Sequence, residues 1–462
     1  MTRDQYRFLE ETINWIKSRL LPNPTTDSIP TLRHFERERI GEKSRIHLRV
    51  DRDGSGILIV NANRVVQLNP TAALMAKLIL EEIPEQKAVR KITARYHVSA
   101  QQALEDYANL SEKINELTRP NGACPIHELD IDTTPPFSRT PSAPYRMDLA
   151  VTYRCNNDCS HCYNARPRDF SELTTSDWKK VLDKLWQIGI PHIVFTGGEP
   201  TLRNDLPELI NHAERNGQIT GINTNARRLS NPNYVSRLVD SGLDHVQITI
   251  ESHLAEIHDS MVGAQGAWNQ TIAGLENVLD SPLFVMTNTT MLKDNSPYLA
   301  ETLQFLASIG VPTVGLNALI YSGHGLSVGT GLSETQLSPL LKIAKQITEE
   351  NNQRLIWYTP TQYCNFDPMQ LDLGIKGCTA ALYNMCVEAD GGVLPCQSYY
   401  QPLGNILVDP WESIWNHPLS KLLRNREYVP DKCNSCVLLS ECGGGCPLQI
   451  LSTGQPAKGR EA

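Results

Sequence analysis

Between residues 146 and 351 of this chain, short β-branched runs alternate with stretches whose apolar residues recur at helical spacing. The runs fall at 146–153, 192–198, 219–225, 245–252, 284–292 and 313–320, and the helical stretches near 175–188, 205–216, 231–241, 268–280, 298–309 and 333–350. Strand, helix and strand repeating at a period of about 35 residues predict parallel strands with right-handed crossovers, the hand that lets a twisted strand feed a helix back onto its own sheet. Six such units, where a closed barrel has eight, predict an α/β fold built on a partial (β/α)6 barrel open on one side.

The pattern differs on either side of 146–354. Residues 4–20 place Leu9, Ile13, Ile16 and Leu20 on one helical face, predicting a helix within an N-terminal segment, 1–45. Over 46–119, three strand-like runs (IHLRV, GILIVN, RVVQLN) are separated by turn residues at 51–55 and 61–63. Three helices follow at 71–82, at 86–97 with Val89, Ile92 and Tyr96, and on a face formed by Ala103, Tyr107, Leu110, Ile114 and Leu117. Ser99 and Gln102 are spaced as a capping box for the last of them. A sheet and three helices of this size predict a winged-helix-like domain. Residues 120–145 carry six prolines and little periodicity, as a linker does. After 355 the alternation stops, cysteines become dense, and Asp390-Gly391-Gly392 between apolar runs predicts a hairpin turn; 355–462 is read as a separate region.

Composition narrows the function. A net charge of -8 without a long Lys/Arg run argues against nucleic acid as a partner. No apolar run approaches the roughly 20 residues of a membrane span, and the opening MTRDQYRFLEETINW lacks a signal peptide's pattern, so the expectation is a cytoplasmic protein with no membrane partner. Of twelve cysteines, eleven follow residue 150. Cytosolic thiols stay reduced, so this density points to metal or redox chemistry.

The run CNNDCSHC puts Cys155, Cys159 and Cys162 directly after the first barrel strand. Three thiolates so close can hold three corners of an iron-sulfur cubane and leave the fourth iron open. Zinc would require a fourth ligand, for which His161 is nearest. The second strand ends in Thr196-Gly197-Gly198-Glu199-Pro200, where glycines permit close backbone approach and Glu199 could accept from an ammonium, or the glycines simply make a turn. The third ends in Thr224-Asn225 and the fourth in Thr249-Ile250-Glu251-Ser252. Polar strand ends are ordinary singly; four segments on one barrel face are where barrel sites are built. Further on, Cys433, Cys436, Cys442 and Cys446 form CX2CX5CX3C, and Cys378 and Cys396 form CX12GX4C through Gly391, a spacing a zinc ribbon would also tolerate.

CxxxCxxC at this position resembles the radical S-adenosylmethionine superfamily. The resemblance implies a 4Fe-4S cluster whose open iron chelates the cofactor's amino and carboxylate groups. An electron, supplied by reduced flavodoxin or ferredoxin, then breaks the C5'-S bond, and the 5'-deoxyadenosyl radical takes a hydrogen atom from the substrate. The GGEP run is similar to the family's methionine-amino segment, implying roles for Gly197, Gly198 and Glu199. Thr224, Asn225, Thr249, Glu251 and Ser252 fall where its ribose and carboxylate contacts lie, although Thr224-Asn225-Ala226 stands for TNG and Thr249-Ile250-Glu251 for Ser-Ile-Asp.

The later cysteines resemble the SPASM extension, which carries two auxiliary 4Fe-4S clusters. This implies Cys378, Cys396 and Cys446 with Cys364 or Cys386 for the first, and Cys433, Cys436 and Cys442 for the second. The family's final cysteine has no counterpart after Cys446, so the second cluster has an open iron, a non-cysteine ligand, or does not form.

The front domain, with RVVQLNPTAALMAKLI, resembles the PqqD-like recognition element of ribosomal-peptide modification systems, implying a precursor peptide docked on 46–119 as an added strand. The reading is a radical SAM/SPASM maturase abstracting hydrogen from a ribosomally made precursor, with crosslinking, epimerisation and excision all open. The alternatives are the same chemistry on a small molecule such as a tetrapyrrole side chain, and a zinc-bearing peptide- or DNA-binding protein. Cys124 reads as an unliganded linker thiol, His258, Asp259 and His324 as structural groups or proton carriers, and Tyr399-Tyr400 as packing or a redox relay.

Overall fold

A computed structural model describes residues 31–39, 42–61, 64–118 and 140–452. The helix predicted at 4–20, Cys124 and most of the 120–145 linker lie outside the described residues. The chain divides into two compact units, Met1–Pro135 and Pro136–Ala462.

The first unit is an antiparallel meander, β1 (Thr31–Arg39), β2 (Glu42–Val50), β3 (Gly56–Val60) and β4 (Arg64–Leu68), in that spatial order. Three helices follow, α1 (Pro70–Leu80), α2 (Glu85–Arg95) and α3 (Ala100–Leu117). The sheet therefore opens at Thr31 with four strands, not at 46 with three. β1, TLRHFERER, has no apolar alternation to reveal it; its place comes from pairing with β2 along its whole length. Ile46, Leu48, Leu58, Val60, Val66 and Leu68 bury their side chains against Ala73, Ala76, Ile92 and Ile114. A Cβ on Gly56 would stand 2.9 Å from that of Ala73, so glycine there sets how closely α1 packs. Ser99 caps α3 by accepting from the Gln102 N–H at 3.1 Å. The Gln102 side chain turns to Asp106 at 2.8 Å, so the capping box is half made.

The second unit holds a ten-stranded sheet. β5 (Arg146–Thr152), β6 (His192–Gly197), β7 (Ile219–Thr224), β8 (His245–Thr249), β9 (Phe284–Thr290), β10 (Thr313–Asn317) and β11 (Arg354–Trp357) lie side by side in chain order, all parallel. The crossover helices are α4 (Thr175–Ile188), α5 (Leu206–Asn216), α6 (Pro232–Asp240), the pair α7 (Ala255–Val262) and α8 (Ala267–Leu279), α9 (Leu299–Ser308) and α10 (Glu334–Glu350). α4 shows why they form. Thr174 caps it, Trp178, Val181, Leu182 and Leu185 make one buried stripe, and Gly189 ends it at φ 98°. Burying each such side chain contributes about 1.5–3 kcal/mol, and Leu182→Ala would cost roughly 2–5 kcal/mol.

Two features go beyond the six expected units. β11 adds a seventh parallel strand, and α7 was not among the helices read, being only eight residues long. The cysteine-dense region is also no separate body. Its strand β12 (Asn384–Val387) joins the barrel sheet beside β5, with Cys386 opposite Asp148, and β13 (Gly392–Leu394) and β14 (Gly404–Asn405) continue antiparallel. The turn at Asp390-Gly391-Gly392 is present, with Gly391 at φ 91°. Short helices α11 (Trp411–Trp415), α12 (Pro418–Arg424), α13 (Leu439–Cys442) and α14 (Pro447–Ser452) complete it around the same core. Among the described residues no helix is long and apolar enough to cross a membrane.

Candidate active site

Parallel strands deliver the C-terminal ends of β5 to β8 to one rim, and the loop with Cys155, Cys159 and Cys162 leaves β5 there. Its conformation is imposed from outside. On one flank the N–H groups of Asp158 and Ser160 donate to the Val262 and Met261 carbonyls at 2.9 and 3.0 Å, at the end of α7. A Cβ on Gly263 would lie 2.2 Å from the Asp158 carbonyl oxygen, so no other residue fits. On the other flank the His324 N–H donates to the Cys162 carbonyl at 2.9 Å, and its Nδ1 lies 3.1 Å from the Cys159 carbonyl. From the third strand end, Arg227 donates to the Asn156 carbonyl and to Asn157 Oδ1, and Asn225 Nδ2 donates to Asn156 Oδ1 at 2.7 Å. His324 is thus a brace of the cysteine loop.

The three thiols share one space. Burial pushes Cys155 up to about 11, against the Asn157 N–H that donates to its sulfur, and Cys162 adds to the rise. Burial raises Cys159 well above a free thiol, and both neighbours raise it further; burial raises Cys162 as well. Desolvated, mutually repelling thiolates require a positive partner to form.

The GGE segment lies against this loop. Gly198 and Glu199 N–H groups donate to the Thr152 and Arg154 carbonyls at 2.8 and 2.9 Å. A Cβ on Gly197 or Gly198 would stand 2.0 Å from Thr152 O or 2.4 Å from Arg154 O, which is why both are glycine. Glu199 is buried, with its pKa raised by that burial despite four donors. Oε1 accepts from the Thr201 N–H and hydroxyl and from the Thr224 hydroxyl, and Oε2 from the Asn225 N–H. Glu199 therefore ties the second strand end to the third, and Oε2 keeps a lone pair for a further donor.

At the fourth strand end Thr249 is half-buried. Glu251 is fully engaged: Oε1 lies 3.1 Å from His161 Nε2 and Oε2 accepts from the Thr290 N–H at 2.9 Å. Burial pulls the His161 pKa down, but Glu251 outweighs it and holds it above the ordinary value. The pair fixes the cysteine loop to β8 and commits His161 Nε2 to a carboxylate, leaving only its buried Nδ1 for any metal. Ser252 is buried, its hydroxyl accepting from the Leu254 N–H at 3.1 Å. His258 Nδ1 accepts from the Glu251 N–H, and Asp259 accepts from Gly266 and Trp268 N–H groups at the start of α8. Asn156, Asn157, Arg227 and Gly263 were missed by sequence reasoning. Only the two asparagines inside CNNDCSHC carried a signal.

The later cysteines fall into groups. Cys378, Cys396 and Cys446 are together: burial raises all three, to about 12 for Cys396, with Cys446 adding to both others. Burial raises Cys433, with Cys442, Cys364 and Cys436 adding; burial raises Cys442 against the Tyr363 and Gly444 N–H groups, with Cys364 and Cys436 adding. Cys386 is buried in an apolar cluster with Ala150 and Leu394, and Cys396 is among the groups that add to its rise. Cys364 is felt by Cys433 and Cys442 of the second group. A cavity of about 810 Å³ lies between the segment after β10 and the C-terminal region, lined by Tyr321, Ser322, Tyr399, Tyr400, Tyr428 and Leu448. Tyr400 donates to the Tyr163 carbonyl, and Arg166 sits 3.9 Å over its ring.

Among the described residues no three His, Cys, Asp or Glu side chains converge on a single-ion site. A cubane demands something else, thiolates on separate iron corners instead of side chains converging on one ion, and an all-sulfur, desolvated donor set suits it.

A cysteine loop clamped at the rim of a partial parallel barrel, with GGE laid against it, defines an enzyme of S-adenosylmethionine radical chemistry, and this chain belongs to the radical SAM superfamily. Residues 149–306 match that superfamily, 378–437 the SPASM iron-sulfur cluster-binding domain, and 56–116 the coenzyme PQQ synthesis protein D (PqqD) family. PqqA peptide cyclase of Bradyrhizobium diazoefficiens is 31% identical over 332 residues, spanning 68% of this chain and 84% of that enzyme. The AdoMet-dependent heme synthase of Methanosarcina barkeri is 26% identical over 330 residues, spanning 68% and 94%. Streptococcus suis SuiB bound to precursor peptide SuiA shares the fold, with a TM-score of 0.66 at 17% identity over 93% of this chain and 99% of that one. The cofactors are S-adenosylmethionine with the radical 4Fe-4S cluster, and auxiliary iron-sulfur clusters in the SPASM region.

Proposed function

We propose that the enzyme modifies a ribosomally made precursor peptide whose leader docks on the first unit as an added strand. The observation that carries this reading is the first unit itself: a four-stranded meander ending in edge strands β1 and β4, with a PqqD-family match over 56–116, in the same chain as the barrel. An edge strand offers backbone donors and acceptors to an extended peptide, and the pockets beside it give specificity. SuiB was crystallised with its precursor peptide, and the B. diazoefficiens relative is a peptide cyclase, which support the same substrate class.

Cys155, Cys159 and Cys162 hold the radical cluster in this reading. When bound, cluster and cofactor supply a 5'-deoxyadenosyl radical, after one electron from reduced flavodoxin or ferredoxin, and that radical takes a hydrogen atom from the substrate. The chain's own part is placement. Gly197 and Gly198 let the second strand end approach the cysteine loop, Glu199 offers Oε2 to an ammonium, and Thr249 presents its hydroxyl at the rim. The cavity beneath Tyr400 receives the reacting segment, in the size range of pockets that enclose small ligands.

The heme synthase relative favours a second reading, a tetrapyrrole substrate. Its alignment uses 94% of that enzyme on 68% of this chain, so about a third of this chain is extra to it. Co-expression with a short precursor encoded beside this gene, followed by mass measurement, tests the proposal. A defined mass change on the precursor is expected; an unchanged precursor together with turnover of an iron-porphyrin would overturn it.

A further inference from the structure

Cys433, Cys436 and Cys442 supply three thiols to the second auxiliary site, and a cubane has a fourth iron corner to fill. Cys446 is not available to it, lying with Cys378 and Cys396. The fold brings another thiol to the gap. Leaving β11, the chain is anchored where Trp357 Nε1 donates to the Thr361 hydroxyl at 2.8 Å, and then runs directly over Cys442. The Cys442 thiol donates to the Thr361 carbonyl at 3.5 Å, and the Tyr363 N–H donates to Cys442 Sγ at 3.4 Å. Gln362 Nε2 donates to the Gly444 carbonyl at 3.1 Å, and a Cβ on Gly445 would lie 2.8 Å from Gln362 Cγ, so the two segments are in contact. From the barrel side Glu334 locks this loop, accepting from the Gln362 N–H at 2.8 Å and from Asn365 Nδ2 at 2.7 Å. Cys364 is the residue between these anchors.

Electrostatics agree with this placement. Cys364 lies within electrostatic reach of both Cys433 and Cys442, as Cys436 does, whereas Cys446 lies within reach of Cys378 and Cys396. Cys386, the other candidate for a fourth thiol, turns its Sγ to the Val387 carbonyl at 3.6 Å inside an apolar cluster.

We infer that Cys364 ligates the second auxiliary cluster with Cys433, Cys436 and Cys442, closing it as a four-thiolate 4Fe-4S centre from the upstream side of the chain. This rests on the reading that the SPASM region holds two 4Fe-4S clusters. On assembly four thiols lose four protons and form four S–Fe bonds, with no change of oxidation state required of the protein. Cys378, Cys396 and Cys446 remain for the first auxiliary site, with Cys386 within electrostatic reach of Cys396.

The test exploits the exposure of Cys364, which as a free thiol would be open to reagent. The anaerobically reconstituted holoenzyme is treated with iodoacetamide under native conditions and mapped by peptide mass, beside protein stripped of clusters by chelator. Cys364 is expected to be protected in the holoenzyme, at least tenfold slower than in the stripped protein. In Cys364→Ala the electron paramagnetic resonance signal of one auxiliary cluster should shift or vanish with loss of iron, and Cys386→Ala should keep both signals. Rapid alkylation of Cys364 alone, with Cys433, Cys436 and Cys442 protected, overturns the ligand assignment and leaves the two-cluster reading standing. Alkylation of all four means that no second cluster forms, and the inference falls with the reading beneath it.

Discussion

The two cysteine-bearing regions gather their thiols in opposite ways. Cys155, Cys159 and Cys162 leave one strand in one loop, and the rest of the barrel grips that loop from both flanks through backbone carbonyls. From Cys364 to Cys446 the thiols are scattered over β12, turns and short helices, and meet only because those elements fold against the sheet. A site made from one loop is set by local spacing, whereas a site made from distant segments is set by topology. The first gathers its thiols by local spacing and uses distant segments as braces, whereas the second depends on the C-terminal packing even to bring its thiols together.

The sharpest break in that contrast is Cys159→Ala. It should lower 5'-deoxyadenosine formation by on the order of a thousandfold or more in an anaerobic assay with dithionite, with auxiliary-cluster absorbance retained. Cys442→Ala should leave deoxyadenosine formation within about tenfold and abolish product. If the two variants behave alike, the regions are not functionally distinct.

Next in size is Glu251→Ala, which removes the buried partner of His161 and unties the cysteine loop from β8. A loss of about 3–5 kcal/mol is expected in denaturant unfolding, the cost of breaking a buried pair. No change in midpoint would show that the brace carries no load.

Glycines sharpen the comparison further. Gly198→Ala drives a Cβ into backbone at Arg154, with nothing able to yield, and should cost about 2–3 kcal/mol and weaken cofactor binding. Gly445→Ala meets only the Gln362 side chain, which can swing away, so its φ of 86° sets the penalty, about 1–2 kcal/mol. Equal losses in thermal melts would contradict the idea that the first loop is held by backbone and the second region by side chains.

An effect set by pH lies at the opposite rim, where β6 and β8 begin with His192 and His245, Nε2 to Nε2 at 2.8 Å. Burial, with Arg146 adding, holds His245 down to about 3. The unfolded chain takes up its proton near pH 6.5, the folded one not until about 3, so this contribution is intact above 6.5 and declines as pH falls through that window. The melting temperature of the holoenzyme should therefore drop between pH 6.5 and 4, and His245→Gln should shallow the slope. Identical slopes would remove the imidazole from the account.

Legibility followed the same division. The six βα units could be read because each buried stripe repeats at a fixed period, as in Trp178, Val181, Leu182 and Leu185. The grouping of Cys155, Cys159 and Cys162 at one rim could be read from spacing alone. β1 could not, since its sequence is mostly charged, without apolar alternation, and only β2 defines it. Nor could the joining of β12 to β5, the braces from Gly263 and His324, or the neighbourhood of Cys364, because each is a contact between segments far apart in the chain, to which no local pattern points. Glu251 was legible as a polar strand end but not as the partner of His161.

Cys159 and the His324 that steadies it are 165 residues apart. At a translation rate of roughly 5–20 residues per second, the three sulfurs emerge from the ribosome about ten seconds or more before their support has been made. During that interval they are loose thiols on an unfinished protein, open to any oxidant or stray metal. Delivery of iron and sulfide to this enzyme must accordingly be timed after synthesis of the barrel, and a cell short of delivery machinery would accumulate a folded but colourless product.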